Sequence, residues 1–334
     1  MLKRLFSLIC ALLTALMPMG AGAQSDNASG FELHVIDVGK ADCLLIKCDG
    51  ENMLIDTGYA DSEDTIRAYL SEQGVTRLEY LVATHQDKDH IGGMPWVLAE
   101  YEIGTALICP LEEDSKPYMR MKAALSAEGT NAVYPTAGYT FTLGGASITV
   151  LSPNDDLLST NDENECSIVL MVEYGSTRFL LMGDAQSKAE ESLIKSDYDL
   201  SADVLKVGHH GSDQSTSPIF LSAVKPTYAA ISCGYSDEDN YPAGDTLDAL
   251  ESAGVDILRT DADGTIIFTS DGASITARAL GTDVAQKGYV LDTKKMIFHL
   301  TTCRELPGRK KREFYRNRAD VVDAGGVPCT ICNP

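Results

Sequence analysis

Positive charge is scarce in this sequence, whose 334 residues include 27 Lys and Arg against 49 Asp and Glu, a formal net charge of −22. The imbalance is uneven along the chain. Residues 1–286 contain 17 basic and 44 acidic residues, a net charge of −27, whereas residues 287–334 contain ten and five, a net charge of +5. An acidic body suits small substrates better than long polyanions, and a basic tail indicates a separate module with a polyanionic partner.

Long apolar runs are absent after residue 23, so no later segment provides the ~20 apolar residues that a membrane-spanning helix needs. The apolar run at 5–19 follows two basic residues and precedes a small-residue segment at 21–23. This arrangement is typical of a secretory signal peptide. We therefore expect a signal peptide over 1–23, a linker over 24–30, and a secreted, extracellular protein with no membrane anchor after cleavage.

A regular cysteine pattern is also lacking in the body of the chain. Five cysteines are scattered through apolar segments, with no spacing that indicates a disulfide framework. We interpret these five as small buried hydrophobic residues. They are Cys43, Cys48, Cys109, Cys166 and Cys233.

Strand-like and helical segments alternate in both halves of the body, as in the apolar run 80–83 and the helical pattern 187–195. This alternation predicts one layered α/β domain over about residues 31–280. Residues 281–286 are expected to be a linker, and residues 287–334 a small module.

Histidine and aspartate are concentrated directly after the strand-like run 80–83. Four potential ligands occupy six positions there, namely His85, Asp87, Asp89 and His90. Residues so close together converge on one point only at a turn, and the two aspartates repel each other unless a cation lies between them. Imidazole and carboxylate ligands together suit zinc, manganese or iron. The stretch therefore predicts a divalent metal site.

Two further strand ends carry ligand-type residues. Asp184 follows the run 178–182, and the pair His209 and His210 follows the run 203–207. Active sites collect in loops at strand ends along one edge of a sheet. We therefore expect these residues to meet the signature stretch in one site.

The stretch 85–93 resembles the HxHxDH signature of the metallo-β-lactamase superfamily, in the variant form HxDxDHxGG. The variant form is similar to the ComEC-type domain of competence DNA-uptake proteins. The resemblance covers about residues 31–280, and several motifs agree in order along the chain. Those motifs are Asp37-Val38-Gly39, Asp56-Thr57-Gly58, Gly183-Asp184, the run 204–212 and the run 259–265.

The resemblance implies an αββα sandwich that holds one or two divalent metals, zinc or manganese, at its edge. His85 and Asp87 would bind the first metal. Asp89, His90 and His209 would bind the second, and Asp184 would bridge both. A carboxylate at the second signature position favours manganese or iron over zinc.

The remaining motif residues have expected roles as well. Asp89 would also accept a proton from a metal-activated water molecule, and His210 and Ser212 would donate to the phosphate or the leaving group. Asp56 would hydrogen-bond backbone groups and orient the ligand loop, without binding metal itself.

Two segments depart from the superfamily pattern. The segment 161–167 lacks the histidine that usually lies between the first signature and the bridging aspartate, and Asn164 is the candidate oxygen donor there. A later Gly-His-Pro-His pattern, frequent in this branch, is replaced by the segment 239–243, where Tyr241 is the candidate phenolic donor.

The tail contains four candidate zinc ligands, His299, Cys303, Cys329 and Cys332. Their spacing favours a single tetrahedral Cys₃His site, and a module of about 45 residues needs such a metal because it buries little core. The alternative is a disulfide between Cys329 and Cys332 with Cys303 free. The segment is similar to the Ada-type metal-binding domain, which has four cysteines, so its methyl-acceptor chemistry is not expected here.

Basic residues lie between the two ligand pairs of the tail, together with Phe314 and Tyr315. This mixture is typical of a surface that neutralises phosphates and stacks on bases. The candidate nucleic-acid-binding residues are Arg309, Lys310, Lys311, Arg312 and Arg316.

The sequence as a whole predicts a secreted metal-dependent hydrolase, with a nuclease or phosphodiesterase favoured. Two alternatives stay open. The same metals would serve a hydrolase of lactones, esters or other small molecules, which the acidic body favours. A nucleic-acid-binding protein with weakened or lost catalysis is the second, because both late histidines are missing.

Overall fold

The computed structural model describes most of the chain after residue 29. The expected signal peptide lies outside the described residues, as do 24–29 and 282–286 of the two linkers and the basic residues Arg309, Lys310 and Arg316. No described helix is long and apolar enough to cross a membrane. The described residues are 30–234, 241–281, 289–300, 303, 305–307, 311–315, 318–332 and 334.

The first part of the chain builds most of one mixed sheet. Its inner strands pair in parallel, and helices connect them on one face. The strands are β1 (Phe31–Val35), β2 (Leu44–Cys48), β3 (Glu51–Ile55), β4 (Arg77–Ala83), β5 (Glu102–Ile108) and β6 (Ala132–Val133). The helices are α1 (Glu63–Glu72), α2 (Lys88–Ile91), α3 (Met94–Glu100) and α4 (Lys116–Glu128).

The second part builds a second mixed sheet, with strand order β13-β12-β11-β10-β9-β8-β7. Its strands are β7 (Thr140–Leu143), β8 (Ala146–Ser152), β9 (Val169–Tyr174), β10 (Thr177–Leu181), β11 (Val204–Lys206), β12 (Tyr228–Ile231) and β13 (Asp256–Arg259). The helices are α5 (Asp155–Leu158), α6 (Ser187–Lys195), α7 (Pro218–Val224), α8 (Gly244–Ser252) and α9 (Thr260–Asp263). Short 3₁₀ turns lie at Ala60–Ser62 and Gly208–Gly211.

The last two strands of the body return to the first sheet. They are β14 (Ile266–Ser270) and β15 (Ile275–Ala279). β14 pairs antiparallel with β1, so the first sheet has the order β15-β14-β1-β2-β3-β4-β5-β6. The beginning and the end of the body are thereby joined by backbone hydrogen bonds.

The two sheets pack face to face, and each is covered by helices on its outer face. Leu33 of the first sheet and Phe179 of the second belong to one buried cluster between the sheets. Residues of α1, α3 and α4 pack on the outer face of the first sheet, and residues of α6, α7 and α8 on that of the second. The predicted αββα sandwich is confirmed.

Helix α4 was missed by sequence periodicity, although its ends are signalled clearly. The Ser115 side chain accepts a hydrogen bond from the backbone N–H of Tyr118, and Pro117 lies in the first turn. Gly129 ends the helix with φ 64°, in the left-handed region that favours glycine. These local signals identify a helix even where its apolar stripe is weak.

The tail forms a separate small sheet of the order β18-β16-β17-β19, with one short helix. Its described aliphatic and aromatic core consists of Leu291, Phe298 and Val321, which pack together, and the buried Val290. A core of this size supplies little folding energy. The elements are β16 (Tyr289–Asp292), β17 (Ile297–Leu300), β18 (Arg312–Tyr315), α10 (Arg318–Asp323) and β19 (Val327–Pro328).

The packing between the sheets gives a stability prediction. The Phe179 ring is fully buried, with its centroid 4.6 Å from that of Phe31 on the opposite sheet. We expect Phe179→Ala to lower the free energy of unfolding by about 3–5 kcal/mol, because it leaves a cavity between the sheets. Urea denaturation followed by circular dichroism measures this. Ile219→Ala, at a side chain 71% exposed, is the control and should change stability by less than about 0.5 kcal/mol.

Candidate metal centre

Four strand ends meet at one edge of the sandwich. Asp56 follows β3 and His85 follows β4, and these strands are parallel neighbours in the first sheet. Asp184 follows β10 and His210 follows β11, which are parallel neighbours in the second sheet. The carboxyl ends of parallel strands form the usual binding crevice of α/β folds. Residues distant in sequence are thereby brought to one site.

The signature stretch is held in a tight turn against the β3 end. The backbone N–H groups of His90 and Ile91 both donate to the Asp87 carbonyl at 3.0 Å, which forms α2. The Thr57 backbone N–H and hydroxyl both donate to the His90 carbonyl, at 2.7 and 3.0 Å. At Gly92 a Cβ atom would lie 2.6 Å from the Ala60 nitrogen, so only glycine allows this approach.

Three groups of possible metal ligands share His90, and in each group the ligand atoms all lie within 4.8 Å of one another. Two of them lie around Asp184: the first group consists of His85, His90 and Asp184, and the second of Asp89, His90 and His210. The remaining group, Asp42, Asp56 and His90, contains the carboxylate that pairs with Lys206.

Asp184 lies at the centre of this arrangement. Its Oδ2 atom is 3.2 Å from His90 Nε2, 3.5 Å from His210 Nε2 and 3.9 Å from His85 Nε2. Four of the six histidines in the chain lie around this one carboxylate, since His209 Nε2 is also 3.8 Å from it. Asp184 would therefore be within reach of any metal that these imidazoles hold, and its bridging role stays a prediction.

The buried polar atoms at this centre fit a cation. Four of them have no hydrogen-bond partner within the described part of the chain: His85 Nε2, His90 Nε2, His210 Nε2 and Asp184 Oδ1. Buried polar atoms are normally paired, because leaving one unpaired costs about 1–3 kcal/mol. Convergent imidazole nitrogens and a carboxylate oxygen are the donor set of zinc, manganese and iron sites. His85, His90, His210, Asp89 and Asp184 would hold such metals.

The pKa values follow from this crowding of charge. Burial alone would raise the pKa of Asp184, but His90 and His210 bring it well below its usual range. Burial alone would lower the pKa of His90, but Asp184 and Asp56 raise it well above its usual range. The same electrostatic field that favours protons on these histidines favours a divalent cation in their place.

A family comparison gives this geometry a context. The model of the metallo-beta-lactamase superfamily matches residues 36–235, which contain every residue of the two ligand groups. The chain belongs to this superfamily. The resemblance inferred from the signature is confirmed.

Known relatives are similar to this superfamily member over most of its length. ComE operon protein 3 of Bacillus subtilis is 29% identical over 71% of this chain and 33% of its own length. Competence protein ComA of Neisseria gonorrhoeae is 30% identical over 81% of this chain and 39% of its own length. The chain therefore spans less than half the length of these relatives. A solved metallo-beta-lactamase fold protein, YhfI of Bacillus subtilis, is 12% identical with a TM-score of 0.48, over 72% of this chain and all of that one.

Asp56 contacts His90 at the ring nitrogen opposite the one that faces Asp184. Its carboxylate is fully buried and accepts from His90 Nδ1 at 2.7 Å and from the Thr84 N–H and hydroxyl at 2.9 and 2.6 Å. A carboxylate on Nδ1 fixes the ring so that Nε2 faces the metal position. Asp56, which matches the strand-end aspartate of the superfamily, would therefore act on a bound metal through His90.

The late histidine pair differs from the sequence expectation. His210, expected to be a proton donor, is fully buried and belongs to the second ligand group. His209, expected to be the ligand, belongs to none of the ligand groups among the described residues. Its Nδ1 is 2.5 Å from Gln186 Nε2, and its ring lies 5.3 Å from that of Tyr241. The structure therefore favours His210 as the ligand of the second metal.

The backbone shows why His210 is the inner residue. His209 and His210 have φ values of 44° and 54°, in a region that non-glycine residues rarely adopt. His210 Nδ1 donates to the Ser232 carbonyl at 2.9 Å, which leaves Nε2 directed at Asp89 and Asp184. Such strain persists where the surrounding structure maintains it, typically at functional sites.

Ser212 is placed differently from its expected role as a donor to substrate. It is fully buried, and its hydroxyl accepts from the Gln214 backbone N–H at 3.1 Å. Its carbonyl accepts from the hydroxyls of Thr246 and Ser215, at 2.8 and 3.1 Å. These contacts shape the loop that carries His210.

Asp87 lies on the outer side of the centre, 3.5 Å from His85 Nε2 and with 41% of its side chain exposed. A hydrogen bond from His85 lowers the pKa of Asp87. Glu163 contacts Asp87, and burial followed by the contacts with Asp87 and Glu113 raises the pKa of Glu163 to about 8. Glu163 thus lies where the superfamily usually has a histidine, beside the candidate Asn164, whose buried Oδ1 has no hydrogen-bond partner among the described residues.

Sequence reasoning missed a buried ion pair behind the centre. Lys206 and Asp42 are each only 1% exposed, and Lys206 Nζ lies 2.8 Å from Asp42 Oδ2. Asp42 Oδ1 is in turn 3.6 Å from His210 Nδ1. The signal in the sequence was a lysine inside the apolar strand β11, where a charged residue is rarely buried without a partner.

The charges at this edge indicate how many cations it would hold. Lys206 is the buried ammonium, and five carboxylates surround or support the ligands: Asp42, Asp56, Asp87, Asp89 and Asp184. Lys40 Nζ lies 3.9 Å from Asp89 Oδ2 and compensates one more carboxylate. With neutral imidazoles, the set therefore carries three uncompensated negative charges, which is more than one divalent cation balances.

The tail cysteines form a second candidate metal site. The ligand atoms of His299, Cys303, Cys329 and Cys332 lie within 4.8 Å of one another, and all three cysteines are free thiols. The disulfide alternative between Cys329 and Cys332 is therefore not what the structure contains. Backbone N–H groups donate to two of the sulfurs, Leu300 to Cys332 and Ile331 to Cys329, each at 3.4 Å. These four residues fit a tetrahedral zinc ion.

Of the proposed nucleic-acid-binding residues, Lys311 and Arg312 are described, and both lie at or beside β18. The Lys311 carbonyl accepts from the Thr293 N–H at 2.8 Å, and Arg312 Nε donates to the Pro307 carbonyl at 2.5 Å. These contacts stabilise the tail sheet. Nucleic-acid binding by this segment stays a prediction.

The late histidines provide a direct test of the ligand assignment. We expect His210→Ala to bind about one equivalent less of manganese than the unaltered protein, because it removes a ligand atom from the second group. His209→Ala should retain the full metal content. Elemental analysis after gel filtration measures both. The opposite result, with metal lost only from His209→Ala, would restore the sequence-based assignment.

The tail site has its own test. Because its core is small, we expect Cys329→Ser to lose one equivalent of zinc and to expose the tail to proteolysis, while metal in the body is retained. Zinc content and limited trypsin digestion measure the two effects. Cys233→Ser, at a buried cysteine of the body, is the control for a lost thiol. An unchanged zinc content in Cys329→Ser would contradict the assignment.

Proposed function

We propose that this protein is a secreted phosphodiesterase that depends on two divalent metals and acts on nucleic acid or its fragments. One observation carries the proposal: the group of His85, His90 and Asp184 and the group of Asp89, His90 and His210 lie around the single carboxylate of Asp184, at an edge with more negative charge than one divalent cation balances. Paired metals of this kind suit the displacement of an oxygen at phosphorus.

Bound metals would supply an acidified water molecule and positive charge for the phosphate oxygens. Asp87, proposed from the sequence as a ligand, lies 3.5 Å from His85 Nε2, and with Asp89 and Asp184 it would make three carboxylate ligands, which favours manganese or iron over zinc. The protein itself would position the reactants. Asp184 would hold the two metal positions close together, and Asp56 and the Ser232 carbonyl would fix the two inner imidazoles.

The role of Asp89 is sharpened by its surroundings. Burial would raise its pKa, but His210 and His90 lower it to about 2. A carboxylate with so low a pKa is a weak base at neutral pH. Asp89 is therefore better suited to binding metal than to accepting the proton of a water molecule.

The relatives support a connection with nucleic acid. One of them is named as a competence protein, and the carboxylate-bearing signature is shared with the ComEC-type branch in which the sequence resemblance lies. The basic tail would contribute affinity for phosphates through Lys311 and Arg312, and secretion would place the activity outside the cell.

A second candidate function is favoured by the acidic side of the site. Asp87, Glu163 and Glu113 form a carboxylate cluster beside the first ligand group. Such a cluster repels a polyanion and would tolerate a neutral lactone or ester. This observation keeps a small-molecule hydrolase as the alternative.

Substrate panels separate the candidates. We expect the manganese-loaded protein to hydrolyse bis-p-nitrophenyl phosphate and oligonucleotides, and Asp184→Asn to lose at least 10²-fold in kcat/KM because it removes the central carboxylate. Hydrolysis of lactones or esters with no phosphodiesterase activity would establish the alternative. Binding of oligonucleotides by metal-loaded protein without any turnover would indicate a binding protein.

A further inference from the structure

A pocket adjoins the metal centre on the side of Asp89. Tyr59 connects the two, because its hydroxyl contacts the Asp89 carboxylate and its ring lines the pocket. The pocket has a volume of about 270 Å³, near the lower end of the ~300–1,000 Å³ typical of ligand sites. It has room for one substituent of a substrate. The lining residues that matter here are Tyr59, Asp61, Lys88, Pro95, Pro117 and Arg120.

The pocket brings positive charge to a body that is otherwise strongly acidic. Lys88 and Arg120 are both exposed at its wall, against one acidic residue of the described lining, Asp61. Lys88 Nζ lies 5.9 Å from the centre of the Tyr59 ring. Lys40 adds a third cation between pocket and centre, with its Nζ 3.9 Å from Asp89 Oδ2.

One part of this pocket wall belongs to the same turn as the candidate metal ligands. Lys88 lies between Asp87 and Asp89 in α2, whose turn is fixed by the hydrogen bonds to the Asp87 carbonyl. Arg120 lies on α4, which packs against α3 at the outer face of the first sheet. The backbone of Lys88 and Arg120 is thereby fixed relative to the candidate metal ligands. This lowers the entropy that these residues lose when a substrate binds.

The other side of the centre carries the opposite charge. Asp87 contacts Glu163, and Glu163 contacts Glu113. The two sides of the site therefore differ in composition: basic residues line the side of Asp89, and acidic residues line the side of Asp87. An anionic chain is attracted on one side and repelled on the other.

We propose that the pocket lined by Tyr59, Lys88 and Arg120 binds the phosphate group next to the scissile phosphodiester, so that the substrate extends from the Asp89 side only. The inference rests on the proposed phosphodiesterase function and narrows its substrate to short or terminal nucleotide segments. A nucleic-acid strand that continued past Asp87 would meet the acidic residues Glu163 and Glu113.

The test compares thymidine dinucleotides that carry an added phosphate at the 5′ end, at the 3′ end, or at neither end. The manganese-loaded full chain should prefer one of the two phosphorylated forms, not both. The variant Lys88→Gln/Arg120→Gln should lose about tenfold in kcat/KM for that form, through KM. Its kcat/KM for bis-p-nitrophenyl phosphate, which has no flanking phosphate, should fall by a much smaller factor.

Lys195→Gln/Arg278→Gln is the matched control, because it removes one exposed lysine and one exposed arginine that do not line the pocket. Equal losses in both double variants, or no preference between the dinucleotides, would overturn the pocket while phosphodiesterase activity persists. Dinucleotide binding to the metal-loaded protein is measured in parallel. If no substrate is hydrolysed, the proposed function fails, and a binding preference lost only in Lys88→Gln/Arg120→Gln would still support the pocket.

Discussion

The dominant constraint at the functional edge is the burial of negative charge around Asp184. An ionised carboxylate taken out of water costs several kcal/mol unless cations or hydrogen bonds compensate it. Here the compensation comes from the imidazoles of His85, His90 and His210, and from Lys206 against Asp42. The imidazole nitrogens that face the centre have no hydrogen-bond partner in the described chain, so the protein by itself leaves the balance incomplete. Divalent cations complete it, which ties the fold of this edge to metal binding.

Hydrogen bonds hold the loops around the centre in place despite the negative charge buried there. Thr57 holds the His90 carbonyl, Asp56 holds the His90 ring, and the Ser232 carbonyl holds His210. The left-handed backbone at His209 and His210 is part of the same arrangement, since it turns two adjacent side chains to different environments. Catalytic sites of this kind need ligand positions accurate to a fraction of an ångström, and hydrogen bonds from neighbouring residues provide that accuracy.

The tail has a small hydrophobic core, and metal binding would compensate for it. Its described aliphatic and aromatic core consists of Val290, Leu291, Phe298 and Val321, too few residues to balance the entropy of ordering the segment. The convergent His299, Cys303, Cys329 and Cys332 offer metal binding as a source of folding energy. In the body, metals would serve chemistry; in the tail, a metal would serve stability.

The sequence by itself determined the layered fold and the ligand types, because both depend on local patterns. The alternation of strands and helices predicted a layered α/β domain, and the resemblance to the superfamily signature implied the sandwich. The clustering of His85, Asp87, Asp89 and His90 predicted a metal site before any contact was known. The helix α4 was also encoded locally, by Ser115 and Gly129, although its weak apolar periodicity concealed it.

Tertiary structure alone decided the different surroundings of the two adjacent histidines, His209 and His210. Both have φ above zero, a backbone conformation that the sequence does not indicate and that sets the direction of each side chain. It also decided the pairing of Asp42 with Lys206, which are 164 positions apart, and the placement of basic residues on one side of the site and acidic residues on the other. Such relations depend on the register and packing of distant strands. They arise only when the two sheets close on each other.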